Sequence, residues 1–186
     1  MPAAAIRRLR RESRRVACEG DKALYALAEE IDGVRLAALR VSEEEFSEAE
    51  QAVGEELKCA IDVAIANISA FHRAQLPHEV RVETTAGVTC IQRPVPIGCV
   101  GLYIPGGTAP LFSTVLMLAL PASIAGCGRI VMCTPTDRNG RVAAEVLYAA
   151  RQCGVGAVYK AGGAQAVAAM AYGTESIPKV DKIFGP

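Results

Sequence analysis

The sequence predicts an α/β fold, in which an N-terminal helical arm precedes a parallel sheet with helices on its faces. Over the first third of the chain, apolar residues recur every three or four positions, which is the spacing of amphipathic helices. From Gly98 onward, short apolar strands alternate with helical stretches, which is typical of parallel sheets. With 186 residues, of which 51% are hydrophobic, the chain is long enough to bury a core.

Charge and composition exclude several classes of protein. The 20 basic and 20 acidic residues balance, which argues against a nucleic-acid partner because such proteins carry a basic excess. The uncharged stretch between Arg93 and Arg129 is cut by prolines into pieces shorter than the roughly 20 residues of a membrane span, so no membrane partner is predicted. The seven cysteines form no Cys-x-x-Cys pair and follow no secretory signal. They predict reduced, mostly buried thiols in a cytoplasmic protein.

The arm begins with an arginine-rich helix. Residues 1–22 carry seven basic and three acidic side chains, a sum of 7 − 3 = +4. A transit peptide or a contact with a polyanion would explain this excess, but we favour a solvated helix face with Ile6, Leu9 and Val16 turned inward. The Gly20-Asp21 pair predicts a helix break followed by a new N-cap.

A capping box opens the second part of the arm. Ser42 is followed three residues later by Glu45, so that each side chain can satisfy a backbone donor at the start of a helix. The helix is predicted to continue to about Gln75, with a break near Gly54. Its apolar residues form one stripe, made of Leu57, Ile61, Ala64, Ile65, Ile68 and Phe71.

The two histidines do not form a metal motif. His72 lies beside the apolar stripe and His78 follows Pro77, with only Glu79 close by in sequence. Their separation of six positions lacks the spacing of a zinc site. We therefore predict a helix-end histidine and a loop histidine.

After Pro77 the pattern changes to strands. Residues 80–84 and 88–91 flank Ala86-Gly87 and predict a hairpin. The following elements are strands at 99–104, 129–134, 157–160 and from 182, with helices at about 113–125, 142–153 and 164–172 between them. The order of the strands does not follow from the sequence. Because the last strand has no helix after it, we expect the chain to be an incomplete protein.

Two glycine turns lie at the predicted carboxyl ends of strands, Gly106-Gly107 and Gly162-Gly163. Ligands of open α/β sheets bind at these ends, where glycine lets backbone N–H groups approach a ligand and a helix N-terminus favours an anion. Either turn could instead serve only to connect a strand tightly to its helix. As a pair, the two turns favour a nucleotide-sized ligand.

The residues alone do not name the nucleotide. The fingerprint Gly-x-Gly-x-x-Gly is absent, since Tyr159 stands at the third glycine of the nearest match. A Walker A pattern fails because Gly107 stands where lysine is needed. No Gly-x-Ser-x-Gly elbow or neighbouring Cys–His pair occurs. The residues therefore predict a nucleotide crevice in an α/β sheet and no more.

Two long motifs resemble a known family. The run from Arg93 to Met117, which contains Tyr-Ile-Pro-Gly-Gly-Thr-Ala-Pro-Leu-Phe-Ser, resembles the signature of histidinol dehydrogenases. So do the runs at 162–175, which contains Gly-Gly-Ala-Gln, and at 178–186. A weaker resemblance extends upstream through Gly20 to His72, so that it covers nearly the whole chain.

The resemblance implies an NAD-dependent, zinc-requiring homodimer. The family oxidises L-histidinol through L-histidinal to L-histidine in two hydride transfers, the last steps of histidine biosynthesis. Its fold is similar to that of aldehyde dehydrogenases, with a Rossmann-like cofactor domain that lacks the usual fingerprint. We expect a helical segment at 1–76, a hairpin and linker at 77–97, and a Rossmann-like NAD-binding domain at 98–186 that is incomplete at its C-terminus. We also expect the arm to pack poorly on this domain.

The family's NAD contacts map onto Tyr103 and Gln165. A third contact, the Asn of Gly-Pro-Gly-Asn, would follow Gly185-Pro186. The zinc ligands, the acid/base pair and most substrate contacts lie further along the family's sequence, so no catalytic or metal-binding residue is predicted here and the fragment alone is expected to be inactive. From the residues alone, the Tyr103 hydroxyl could bond a backbone group and Gln165 the first helical turn; the resemblance favours cofactor contact. The alternative function is a non-catalytic nucleotide-binding or dimerisation module derived from the family.

Overall fold

The computed structural model describes residues 3–107 and 109–186, and its first third is helical as predicted. Met1 and Pro2 of the predicted arm and Thr108 of the first glycine turn lie outside the described residues. Helix α1 spans Ala3–Glu19, α2 spans Asp21–Leu27 and continues into a π-helical turn at Ala28–Asp32, α3 spans Glu43–Ala52 and α4 spans Glu55–Ala74. The predicted break near Gly54 separates α3 from α4.

The start of α3 has the predicted capping box. The Oγ of Ser42 accepts the backbone N–H of Glu45 at 3.3 Å, and the Glu45 carboxylate accepts the backbone N–H of Ser42 at 3.0 Å. Both donors would otherwise lack an intrahelical partner, so the box fixes where α3 begins.

The start of α2 is capped differently from the prediction. The N-cap residue is Gly20, with φ +57°, and the side chain of Asp21 does not cap its own helix. The carboxylate of Glu175 accepts the backbone N–H of Asp21 at 2.7 Å instead. In return, the Asp21 carboxylate accepts the backbone N–H of Ser176 at 3.3 Å. The cap of α2 therefore comes from a segment 154 residues further along the chain.

A β-hairpin follows the arm as predicted. Strands β1 (Val80–Thr85) and β2 (Val88–Gln92) pair in antiparallel fashion around the turn at Ala86-Gly87. Every residue of both strands is exposed. An isolated two-stranded hairpin with no buried face is marginal in water.

The second half of the chain forms a parallel sheet, which confirms the predicted α/β class. Its strands are β3 (Cys99–Tyr103), β4 (Arg129–Thr134), β5 (Ala157–Lys160) and β6 (Lys182–Phe184), connected by helices α5 (Phe112–Ile124), α6 (Ala144–Gln152) and α7 (Gly163–Tyr172). The helix boundaries differ from the predicted ones by at most two residues.

The strands lie in the order β5-β4-β3-β6. Counted within the sheet, this is the order 3-2-1-4 of Rossmann-type folds. The chain crosses from β5 back over the sheet to β6, which pairs with β3, so the strand order reverses between β3 and β6. In open α/β sheets, this switch point is where ligands bind.

Residues 39–41 run antiparallel along the outer edge of β5. The backbone N–H of Val41 donates to the carbonyl of Val158 at 2.9 Å, and that of Lys160 donates to the carbonyl of Leu39 at 2.7 Å. The arm thereby covers an edge that would otherwise expose unpaired backbone groups.

Apolar clusters lie on both faces of the sheet. On one face, residues of α3–α6 such as Phe46 and Leu147 pack on Leu102 and Met132. On the other face, residues of α1, α2 and α7 pack on Val131 and Cys133. The alternation along β4 sends neighbouring side chains into opposite clusters. The sheet is therefore the middle of three layers.

The expectation of a poorly packed arm is wrong for α1–α3. Val16 and Leu24 are buried in the cluster that contains Val131 and Cys133, and Ala49 is buried in the cluster on the opposite face of the sheet. Of the residues expected to face inward on α1, Val16 is fully buried, whereas Ile6 is 39% exposed. Exposed apolar side chains do occur along the rest of the arm and the hairpin, namely Val63, Phe71, Leu76, Val80, Val82, Val88, Ile91 and Val95.

The prediction that the cysteines are mostly buried is also wrong. All seven lie in the described part of the chain and are free thiols. Cys133 and Cys153 are buried, Cys99 and Cys127 are partly buried, and Cys18, Cys59 and Cys90 are exposed. The exposed ones occupy outer positions of α1 and α4 and the open hairpin, where no layer covers them. Among the described residues, no helix is both long and apolar enough to cross a membrane.

Candidate functional site

The two glycine turns meet at the carboxyl ends of the central strands. Pro135, which follows β4, lies between them. A Cβ atom built on Gly106 would lie 2.7 Å from Cγ of Pro135, and one built on Gly162 would lie 2.8 Å from its Cβ. Both positions therefore need glycine for packing against Pro135, which supports the alternative in which the glycines serve the turns.

Tyr103 connects the turns more directly. It is the last residue of β3 and is half-buried. Its hydroxyl oxygen accepts the backbone N–H of Gly163, the first residue of α7, at 2.9 Å. At the switch point, Gly185 lies against Tyr103, since a Cβ atom built on Gly185 would be 3.1 Å from both the Cβ and the carbonyl oxygen of Tyr103.

Gln165 lies in the first turn of α7 and is 4% exposed. Its Oε1 would be 2.8 Å from a Cβ atom built on Gly163, whose φ is +58°. Glycine is thus required at this position by backbone conformation and by contact with Gln165. The structure brings Tyr103 and Gln165 together around Gly163.

The N-terminus of α7 presents the positive end of a helix dipole to this region. The Tyr103 hydroxyl already accepts one of the backbone N–H groups that an anion could use there. This geometry matches the alternative in which the Tyr103 hydroxyl bonds a backbone group.

A cavity of about 330 Å³ lies beside the first glycine turn, at the carboxyl ends of β3 and β4. Its volume is within the range of about 300–1,000 Å³ that is usual for small-molecule sites. Residues of the glycine turn and of the loop after β4 line it, among them Gly106, Gly107, Thr134, Pro135, Asp137 and Arg141. Tyr103 and Gln165 are not among its described lining residues.

Asp137 and Arg141 are site residues that the sequence did not suggest. The Oδ1 of Asp137 accepts the backbone N–H of Asn139 at 2.9 Å and that of Arg141 at 2.8 Å. The hydrogen bond from Arg141, and then that from Asn139, hold the pKa of the Asp137 carboxyl below its usual value. Only the strand order would have singled out Asp137, because it shows that β4 is the second strand of a Rossmann-type sheet.

The described residues do not fit a zinc site. Within 3–107 and 109–186, no group of three or more His, Cys, Asp and Glu side chains could hold a metal ion. His72 lies in the last turn of α4 and His78 in the loop after it. Burial raises the pKa of the Cys133 and Cys153 thiols to about 12, so neither is a thiolate at neutral pH.

A larger groove of about 570 Å³ lies away from the glycine turns. It is apolar and runs between α5, the outer strand β6 and the segments that flank the hairpin, with Leu76, Val95, Met117, Pro121 and Phe184 among its lining residues. The described residues that line this groove carry no charged side chain and offer few groups for polar recognition. We therefore place the candidate site at the glycine turns.

Strand order, switch point and glycine turns define the class: an α/β protein built on a Rossmann-type sheet. A family model described as histidinol dehydrogenase matches residues 4–186. The chain belongs to the histidinol dehydrogenase family.

Relatives named histidinol dehydrogenase support this assignment. The one from Bacteroides thetaiotaomicron is 58% identical over 172 residues, which cover 92% of this chain and 40% of that protein. The one from Escherichia coli K12 is 55% identical over 171 residues, covering 92% and 38%. The crystal structure of histidinol dehydrogenase from Elizabethkingia anophelis has a TM-score of 0.93 and 46% identity, covering 96% of this chain and 41% of that one. The chain spans about 40% of the length of these proteins.

Proposed function

We propose that this chain carries part of the NAD site of an enzyme that oxidises L-histidinol to L-histidine through L-histidinal. The family and its named relatives support the activity. The observation that carries the cofactor assignment is the meeting of Tyr103 and Gln165 around Gly163, at the carboxyl edge of a Rossmann-type sheet. In this proposal the enzyme works in histidine biosynthesis.

The described residues fit NAD at two places. The cavity beside Gly106 is large enough for part of a dinucleotide, and the N-terminus of α7 suits its negative charge. NAD, when bound, supplies the acceptor for the hydride that leaves the substrate. The chain's own residues orient it: the Tyr103 hydroxyl holds the start of α7, the Tyr103 ring offers an apolar contact, and the Gln165 amide offers a donor and an acceptor.

We assign no catalytic or zinc-binding residue to this chain. The described residues hold no cluster of metal ligands, and the chain spans about 40% of the length of its relatives. A base that takes protons during oxidation must lie within hydrogen-bond reach of the substrate. Among the described residues, both histidines lie at the end of α4 and in the loop after it, so the glycine turns offer no pair of carboxylate and histidine. In the part of the chain that the structure describes, NAD contact is the proposed role.

We further propose a helical segment at 1–76, a hairpin and linker at 77–97, and a Rossmann-like NAD-binding domain at 98–186. We also propose a cytoplasmic location and a homodimer. The exposed hairpin and the apolar groove beside it support a further packing partner, since large exposed apolar surfaces are unusual in isolated proteins. The same surfaces also favour the second candidate function, a non-catalytic nucleotide-binding or dimerisation module.

Binding of NAD to the purified 186-residue chain tests the cofactor assignment. Tyr103→Ala and Gln165→Ala should each weaken binding by about twofold to twelvefold, which corresponds to roughly 0.5–1.5 kcal/mol for one lost contact. Tyr172→Ala and Gln152→Ala are matched controls, because both residues are exposed and lie outside the site. Titration calorimetry measures all five proteins. Equal affinities for site and control variants would refute the assigned contacts.

An activity assay tests whether this chain alone catalyses the reaction, which neither candidate function requires. With histidinol, NAD and zinc, the chain alone should form no NADH. Turnover that follows this chain through purification would refute the assignment of no catalytic residue. Absence of NAD binding at millimolar concentration would leave dimerisation, measured by analytical ultracentrifugation, as the function that remains.

A further inference from the structure

The strand order places one acidic residue at a specific point of the sheet. In Rossmann-type folds, an acidic side chain in the region after the second strand accepts from the ribose hydroxyls of the adenosine, and an arginine nearby accommodates a 2′-phosphate. The second strand here is β4, which ends at Thr134, and the next acidic residue is Asp137. Asp137 lines the 330 Å³ cavity together with Gly106 and Gly107.

Hydrogen bonds leave one oxygen of Asp137 available. Oδ1 is engaged by the backbone N–H groups of Asn139 and Arg141, at 2.9 and 2.8 Å. Among the described residues, the hydrogen-bond partner of Oδ2 is Nδ2 of Asn139, at a long distance of 3.4 Å. A carboxylate oxygen can accept two hydrogen bonds, so Oδ2 can still accept from a ligand hydroxyl.

Arg141 also lines the cavity and could in principle hold a phosphate. Its Nη1, however, lies 3.1 Å from Oε2 of Glu48 on α3. The guanidinium therefore already has a carboxylate partner, whereas the charge of Asp137 faces no cation at salt-bridge distance among the described residues. Asp137, Arg141 and Glu48 together carry a net charge of −1, and Arg141 is close enough to contribute to the lowered pKa of Asp137.

We propose that Asp137 makes this site select NAD over NADP. The inference rests on the proposed function, because it requires the cavity to receive the adenosine end of the dinucleotide. The carboxylate accepts a hydrogen bond from a ribose hydroxyl and repels a 2′-phosphate, whose charge of about −1.5 to −2 would lie next to it.

Asp137→Asn in the 186-residue chain is the direct test. The asparagine Oδ1 can accept the same two backbone N–H groups, so the substitution removes the charge while the loop keeps its hydrogen bonds. The ratio of NADP to NAD dissociation constants should fall by about tenfold. Asp62→Asn is the control, because it removes the same charge from an exposed position on α4 and should leave the ratio unchanged. Calorimetric titration with NAD, NADP, AMP and adenosine 2′,5′-bisphosphate gives the ratios.

A second measurement needs no substitution. In the unmodified chain, raising the salt concentration from about 0.05 to about 0.5 M should lower the ratio of the NADP to the NAD dissociation constant, since salt screens exposed charges. An unchanged ratio in Asp137→Asn, with NAD still bound, would overturn the role of Asp137 and leave the proposed function standing. Failure of the unmodified chain to bind any of the four nucleotides would overturn both.

Discussion

The hydroxyl oxygen of Tyr103 accepts the backbone N–H of Gly163 at 2.9 Å, across 60 residues of sequence. This bond ties the end of β3 to the start of α7 and joins two glycine turns that look independent in the sequence. Both residues belong to the proposed cofactor site, so the bond affects stability as well as binding. The two effects can be measured separately.

Tyr103→Phe removes the acceptor and keeps the ring. The N–H of Gly163 then loses its protein partner, and we expect the free energy of unfolding to fall by about 0.5–1.5 kcal/mol. Urea denaturation followed by circular dichroism measures this change. Tyr172→Phe is the control, because Tyr172 is 59% exposed, and it should stay within about 0.5 kcal/mol of the parent. Equal losses in the two variants would contradict a structural role for the Tyr103 hydroxyl.

Gly163→Ala tests the backbone at the same point. Its φ of +58° strains any residue with a Cβ, and the new methyl group would contact Gln165. We expect a loss of about 1–3 kcal/mol of stability. Gly156→Ala has free space around it and no positive φ, so it should be neutral or slightly stabilising. Thermal denaturation measures the stability of both variants. A Gly163→Ala protein as stable as Gly156→Ala would show that the backbone at residue 163 is not strained by a Cβ atom.

Glu175→Ala tests the cap of α2. The backbone N–H of Asp21 would lose a charged acceptor at 2.7 Å, and such bonds contribute about 1.5–3 kcal/mol. We expect lower stability and faster hydrogen exchange at the first amides of α2. Glu50→Ala removes an exposed carboxylate from α3 and should change neither quantity there. Unchanged exchange at Asp21 in the Glu175 variant would show that water replaces the cap without loss.

Thiol reactivity tests the two-sided packing of the sheet. At pH 8, iodoacetamide should label Cys18, Cys59 and Cys90, whereas Cys133 and Cys153 should react only in urea. Because burial raises their thiol pKa from 9.0 to about 12, the stability that they contribute is complete below pH 9 and is lost as the pH rises towards 12. Mass spectrometry locates the labels, and labelling of Cys133 in the folded chain would contradict its burial.

Local patterns were sufficient for most elements of the fold. The strands at 129–134 and 157–160 and the break near Gly54 agree with their predicted positions, because apolar alternation and capping residues act over a few neighbours. The strand order required the structure, since nothing local specifies on which side of β3 the chain returns. The pairing of residues 39–41 with β5 and the cap supplied by Glu175 are long-range contacts of the same kind.

The candidate site, like the fold, could be predicted from the sequence only in part. Tyr103 and Gln165 were predicted as cofactor contacts through a resemblance between motifs, and that role stays a prediction, while their meeting around Gly163 is a tertiary contact. Asp137 was missed because its position acquires meaning only when β4 is known to be the second strand of the sheet. The exposed cysteines were mispredicted because a general tendency of cysteine to be buried says nothing about which helix faces remain uncovered.

The cap that Glu175 gives to α2 has a consequence for synthesis on the ribosome. The ribosome synthesises α1 and α2 well before residue 175. Until the sheet and α7 have been made, the apolar side chains of Val16 and Leu24 have no partner layer to pack against. Contacts across such separations form slowly, and exposed apolar surface in the meantime invites association between nascent chains. We expect the arginines on the outer face of α1 to keep neighbouring nascent arms apart by like-charge repulsion during this interval.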